Sequence, residues 1–199
     1  MLVVVGGHSR NVGKTSVVAG LIAGLPERQW TAVKITQYGH GVCGEHGAEC
    51  GCADPLHPFA ISEEHESSSG TDTSRYLAAG AERAYWVRTA AGQLGEALPE
   101  LRRIISSAQD VICESNSLLQ FVKPDVYVAV LDFGVADFKL SSLRYLDRAD
   151  AVLVHAATEQ PAWRGVAQRL WRNKPRFDVR PPDYVPLALL KFVNERLRG

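Results

Sequence analysis

Three features of the sequence predict an α/β fold, a three-layer sandwich with a mainly parallel sheet. Short apolar runs alternate along the chain with segments of helical periodicity. The first run, Leu2 to Gly6, is apolar throughout, as a strand covered on both faces must be. A glycine-containing turn then joins it to an apolar helical stretch, so the chain crosses to the next parallel strand through a helix.

The elements follow in order. Val17, Val18, Leu21, Ile22 and Leu25 recur at helical spacing and stop at Pro26. Trp30 to Thr36 reads as the second strand. Thr71-Asp72-Thr73 can cap a short helix that runs through Ala79 and is stopped by Gly80. Arg83 to Thr89 is the third strand. Leu94, Leu98, Leu101, Ile104 and Ile105 form a helical stripe that Pro99 either splits or restarts. Asp110 to Glu114, Asp125 to Leu131 and Asp150 to His155 are further strands, and Phe177 to Val179 is a seventh. Trp163 to Trp171 reads as helical. Pro186 opens a last helix with Leu189, Leu190, Val193 and Leu197 inward. In such sheets ligands sit beyond the carboxyl ends of the strands. The residues that matter most are therefore Gly7 to Thr15, Thr36 to His40, Thr89, Glu114 to Ser117, Asp132 and His155 to Ala157.

At 199 residues the chain fits one domain. It carries 22 Lys+Arg and 22 Asp+Glu, so the basic footprint of a nucleic-acid binder is absent. No apolar run reaches the roughly 18 residues of a membrane span. The opening residues read as a strand and not as a leader, so a cytoplasmic location is expected. The charge is uneven. Between Cys43 and Asp72 lie Glu45, Glu49, Asp54, Glu63, Glu64, Glu66 and Asp72 with no Lys or Arg. That stretch is poor in apolar residues and ends in Ser67-Ser68-Ser69-Gly70, so residues 40–70 read as a long loop inserted into the domain.

Between the first strand and first helix lies Gly6-Gly7-His8-Ser9-Arg10-Asn11-Val12-Gly13-Lys14-Thr15-Ser16, close to the P-loop pattern G-x-x-x-x-G-K-[ST]. The chemistry wants successive backbone N–H groups curled around phosphate oxygens at a helix N-terminus. Gly13 lets the backbone approach, Lys14 brings a cation to the β- and γ-phosphates, and Thr15 offers a hydroxyl to Mg²⁺. His8 stands where the first glycine of the motif belongs, and counting from Gly7 leaves five intervening residues instead of four. A P-loop NTPase fold is expected, with Arg10, Asn11, Val12, Gly13, Lys14, Thr15 and Ser16 around the nucleotide. Glu114 ends an apolar strand at the level of the loop and is the expected acidic partner of Mg²⁺ or water. Asp72 is a second candidate, or simply a helix cap.

The runs VVVGGHSRNVGKTSVVAGLIAGL, TAVKITQYGHG, DTSRYLAAGAERAYWVRT and DVICES resemble the molybdopterin-guanine dinucleotide biosynthesis adaptor protein B family over residues 1–116, apart from the Cys-rich loop. Asp72 to Ala81 is the most specific part. The resemblance implies GTP binding with Mg²⁺, assistance to a cofactor-biosynthesis enzyme in nucleotide attachment to the molybdenum cofactor, and a homodimer. Asn11 to Ser16 match its nucleotide residues, Glu114 its acidic partner and Lys34 its strand-two lysine. Glu114-Ser115 replaces Glu-Gly, and Lys34-Ile35-Thr36-Gln37-Tyr38-Gly39-His40 replaces its Lys-His-x-His turn. A looser similarity, through Val12 to Thr15, Lys34 and Gly39, is to dethiobiotin synthetase and the cobyrinic acid amidating synthetases. Their Glu-Gly-Ala-Gly-Gly run is absent at Glu114 to Leu118.

The inserted loop holds Cys43, Cys50, Cys52 and His57, with His40, His46 and His65 near them. Three thiolates and an imidazole suit tetrahedral zinc. An iron–sulfur cluster would want a fourth cysteine, and Cys113 is the remaining one, placed near the same sheet edge. A polar loop with reduced thiols is the other reading. Asn173-Lys174-Pro175-Arg176 has Arg where a guanine-reading motif needs Asp, so ATP and GTP stay open. The turn Arg180 to Tyr184 is a candidate wall of the base pocket. The reading that joins these signals is a slow Mg²⁺-dependent NTPase serving cofactor biosynthesis. Lys14, Glu114 and Lys34 carry catalysis, with Lys34 or Arg10 neutralising developing charge. The alternatives are an ATP-dependent synthetase or small-molecule kinase, and a metal-responsive nucleotide-binding module without turnover.

Overall fold

The computed structural model describes residues 1–38, 58–155 and 158–198. The β-strands are β1 (Leu2–Gly7), β2 (Trp30–Tyr38), β3 (Phe59–Glu64), β4 (Arg83–Ala90), β5 (Asp110–Glu114), β6 (Val126–Asp132), β7 (Ala151–His155) and β8 (Arg176–Asp178). The helices are α1 (Lys14–Gly24), α2 (Asp72–Ala78), α3 (Leu94–Ser107), α4 (Leu140–Leu143) and α5 (Leu187–Arg196). Among the described residues the strands form one sheet in the order β3-β4-β2-β5-β1-β6-β7-β8. Every pair is parallel except β3 with β4.

The central strands bury both faces, and two apolar layers result. On one face Val3, Val5, Ile112, Val128 and Leu153 pack against Val17, Val18, Leu21 and Ile22 of α1, Tyr76 of α2, and Leu189 and Val193 of α5. On the other, Val4, Val33, Val111, Cys113 and Leu131 pack against Leu94, Ala97, Leu101 and Ile104 of α3 and against Trp163 and Trp171. Helices on both faces of a mainly parallel sheet make the predicted three-layer α/β sandwich.

Three expectations are corrected. Residues Phe59–Glu64, assigned to the inserted loop, form the antiparallel edge strand β3. The segment Trp163 to Trp171 is not an α-helix: it holds only a 3-10 turn, Gln168–Leu170, with Gly165 at φ 76°. Its two tryptophans are buried side by side with Phe133, the three rings meeting edge-on. Aromatic packing therefore sets the path of this segment and overrides its helical spacing. Pro99 neither splits nor restarts α3, which runs unbroken through it. Pro99 is exposed, so the carbonyl it leaves unpaired, that of Gly95 four residues back, lies on the solvent side of the helix.

Candidate functional site

The loop between β1 and α1 is shaped by four residues. His8 donates its backbone N–H to Val130 O at 3.1 Å, so pairing of β1 with β6 continues one residue beyond the strand. Its side chain is fully buried between Phe138 and Trp163, at centroid distances of 5.0 and 4.8 Å. Its Nδ1–H donates to Asp137 O at 2.8 Å. Burial pushes the His8 pKa down, so the ring is neutral. His8 thus fills a core position, which accounts for its departure from the motif glycine. Gly7 is needed one place earlier. A Cβ there would stand 2.8 Å from Lys14 Cδ and 2.9 Å from Val12 Cγ2. The chain then turns twice through left-handed conformations, at Asn11 (φ 55°) and Gly13 (φ 87°). Among the described residues, no protein acceptor engages the backbone N–H groups of Asn11, Val12, Gly13, Lys14 or Thr15. These donors stand at the start of α1, where the helix dipole favours an anion.

Lys14 folds its ammonium back to Ser9 O at 2.9 Å. Burial pushes its pKa down, the Lys34 charge adds to that, and the Glu114 carboxylate opposes it. Arg10 is exposed.

Glu114 is the hub beside the loop. It ends β5 next to Val5 of β1 and Lys34 of β2. Its Oε2 accepts from Thr15 Oγ1 at 2.8 Å and from the Tyr76 hydroxyl at 2.5 Å. Burial, and then the Glu114 charge, raise the Tyr76 pKa well above its usual value, so the phenol stays a donor. Lys34 Nζ lies 3.8 Å from Glu114 Oε1 and also pairs with Asp72. Asp72 is in the first turn of α2, and Thr71 does the capping by accepting from Ser74 N at 3.0 Å. Arg75 of the same helix reaches Ser16 Oγ at 3.0 Å. A hydroxyl and a carboxylate at the mouth of a phosphate loop are hard oxygen donors of the kind Mg²⁺ takes alongside phosphate oxygens and water. Thr15 can lend a lone pair to a cation while its O–H still donates to Glu114.

The structure brings Arg10 to Ser16, Glu114 and Lys34 into one neighbourhood. It also adds residues the sequence reading did not assign. Asn116 clamps the loop's entry, accepting from Gly7 N at 2.9 Å and donating to Gly7 O at 2.8 Å. Its position two residues past Glu114 was the available signal. Tyr76 carried none beyond its place on the Asp72 helix. At the other end of the loop, Tyr184 and His155 flank Gly13: a Cβ there would meet Tyr184 Cε1 at 2.7 Å and His155 Nε2 at 3.3 Å. Tyr184, the last residue of the Arg180 to Tyr184 turn, thus lies beside the loop. Asn173 to Arg176 does not. Lys174 Nζ instead donates to Asp147 O and Ala149 O, both at 2.7 Å, tying down the start of β8. Asp132 ends β6 and accepts from Gly134 N at 2.9 Å.

Cys43, Cys50, Cys52 and His57 lie outside the described residues, as do Gly39 and His40. Cys113 is misplaced in the sequence reading. It sits on β5 inside the sheet, between β2 and β1, and not at an edge. It is 1% exposed, and burial pushes its thiol pKa far up, so it offers no thiolate to a cluster. Among the described residues no three His, Cys, Asp or Glu side chains gather as a metal site. None of the described helices is long and apolar enough to cross a membrane.

A mainly parallel sheet, a crossover helix on each side and a glycine-bounded loop ahead of a Lys-Thr pair define the P-loop NTPase fold. No protein-family model matches the chain, and no curated protein matches it in sequence. Among solved structures it is similar to HypB from Helicobacter pylori in complex with nickel (TM-score 0.48, 16% identity, 98% of this chain and 86% of that one). It is also similar to LpxK from Aquifex aeolicus in complex with ATP (TM-score 0.48, 18% identity, 96% of this chain and 60% of that one). A chain of the MinC:MinD cell division protein complex of Aquifex aeolicus matches at TM-score 0.39 and 12% identity, over 100% of this chain and 86% of that one.

Proposed function

We propose that this protein binds a nucleoside triphosphate with Mg²⁺ and hydrolyses it slowly. The observation that carries the reading is the set of backbone N–H groups from Asn11 to Thr15 without a protein acceptor, closed by Lys14 on one side and by the Thr15–Glu114 pair on the other. The N–H groups and Lys14 hold the phosphate chain, and Ser16 follows at the first turn of α1. Thr15 and Glu114 are the residues that would hold Mg²⁺, which when bound draws charge from the phosphate oxygens. Tyr76 fixes the Glu114 carboxylate by donating to it. Lys34, held between Asp72 and Glu114, supplies the nearby positive charge that opposes charge building on the transferring group. Tyr184 and His155 border the loop where the nucleoside would leave it. Catalysis of this kind is mostly positioning and charge stabilisation.

The setting we infer is an accessory role in molybdopterin-type cofactor biosynthesis, supported by the resemblance of residues 1–116. We infer also that Cys43, Cys50, Cys52 and His57 hold zinc or an iron–sulfur cluster, on their spacing alone. Metal analysis of protein purified anaerobically and without chelator tests the latter; a metal-free protein removes it. Calorimetric titration with ATP and GTP, with and without Mg²⁺, followed by phosphate release, tests the nucleotide reading. No binding of either sinks it. Nucleoside diphosphate formed only when a small-molecule acceptor is added would turn the reading to a synthetase or kinase.

A further inference from the structure

The connection after β6 is attached to the phosphate loop more tightly than a passing loop requires. Three hydrogen bonds join them. Lys139 N donates to His8 O at 2.8 Å, His8 Nδ1 donates to Asp137 O at 2.8 Å, and Ser9 Oγ donates to Asp137 Oδ2 at 2.5 Å. Phe138, between the two anchoring residues, packs on His8 and Trp163. Residues 137–139 therefore hold a fixed place on the loop's first turn. Lys14 lays its ammonium on that same turn, at Ser9 O. The opposite end of the loop, at Gly13, is bordered by Tyr184 and His155. In a P-loop the lysine reaches the β- and γ-phosphates, so the Ser9 end is the terminal-phosphate end.

Lys139 is half-buried at this end, and among the described residues it makes no ion pair and its ammonium no hydrogen bond. Burial, and then the positive charges of Lys14 and Arg10, lower its pKa to about 8, while Asp137 and Glu114 pull the other way. Lys139 thus lies close enough to Lys14 and Arg10 for their charges to disfavour its own. Of the two carboxylates that act on Lys139, Asp137 is occupied by Ser9, and Glu114 by Thr15 and Tyr76. Such an arrangement suits a multiply charged anion.

We propose that Lys139 is a second phosphate-binding cation of the site, contacting the terminal phosphate and making the site prefer a nucleoside triphosphate over the diphosphate. The proposal rests on the nucleotide reading above and adds a residue and a selectivity to it. A group placed at the terminal phosphate adds affinity only for the ligand that has one, so hydrolysis removes its partner and eases product release.

The test is calorimetric titration of wild type, Lys139→Gln and Lys139→Arg at neutral pH with Mg²⁺ and each of ATP, ADP, GTP and GDP. Lys139→Gln keeps the backbone N–H that bonds His8. It should weaken the bound triphosphate by about tenfold or more, as loss of a charge-assisted contact does, and the matching diphosphate by much less. Lys139→Arg should keep most of the triphosphate affinity. Equal losses for triphosphate and diphosphate, or no loss, overturn the proposal while leaving the nucleotide reading in place. Wild type that binds none of the four overturns both.

Discussion

Thr15 at the start of α1 donates its hydroxyl proton to Glu114 at the end of β5, across 2.8 Å and 99 residues of sequence. The contact joins the two elements that must cooperate if a cation is to sit beside the phosphate chain. Glu114→Gln keeps the shape of the side chain and removes its charge. Phosphate release with Mg²⁺ should fall by tenfold or more, on the order of 1.4 kcal/mol of barrier, while triphosphate affinity changes less. Unaltered turnover would remove Glu114 from the metal or water partnership.

Lys14→Ala removes the ammonium that lies on Ser9 O. A charge-assisted contact is worth roughly 1.5–3 kcal/mol, so triphosphate affinity should fall more than tenfold. Unchanged ATP and GTP affinity in a folded variant would contradict the phosphate-loop reading.

Much of this site was legible in the sequence because its parts are local. The phosphate loop is one continuous run between a strand and a helix, and Glu114 is marked by an apolar strand that ends in a carboxylate. What was hidden depends on crossovers. The contacts of Asn116 with Gly7, of Asp137 with His8 and of Tyr76 with Glu114 span 109, 129 and 38 residues, and strand order alone creates them. The tryptophans of 163–171 misled for a related reason. Their helical spacing is real, but their burial against Phe133 is a tertiary preference. β3 was missed because an edge strand among acidic residues shows no apolar alternation: Phe59 and Ile61 are followed by Ser62, Glu63 and Glu64.

His8→Gly would restore the motif glycine and should still damage the protein. The ring is fully buried, packed at a tilt against Phe138 and Trp163 and bonded to Asp137. Removing a ring of this size from a packed site costs about 3 kcal/mol or more. Urea denaturation should show that loss; a variant as stable as wild type would mean the ring does not anchor residues 137–139.

The last prediction concerns pH. The Lys139 ammonium, pushed down to about 8 in the free protein, must be protonated to attract a phosphate. Binding an anion raises that pKa, so affinity is at full strength below about pH 8. It falls as pH rises through that value, by up to tenfold per unit until the bound-state pKa is reached. The phosphate's own last proton leaves near pH 6, so the ligand's charge is constant over this range. Burial also pushes Lys14 down, and any decline that group causes is common to wild type and the Lys139 variant. Lys139→Arg separates the two, because a guanidinium stays charged throughout. Triphosphate affinity of Lys139→Arg should therefore fall less steeply between pH 7.5 and 9.5 than that of wild type. Parallel curves for the two proteins would show that Lys139 does not titrate against the ligand.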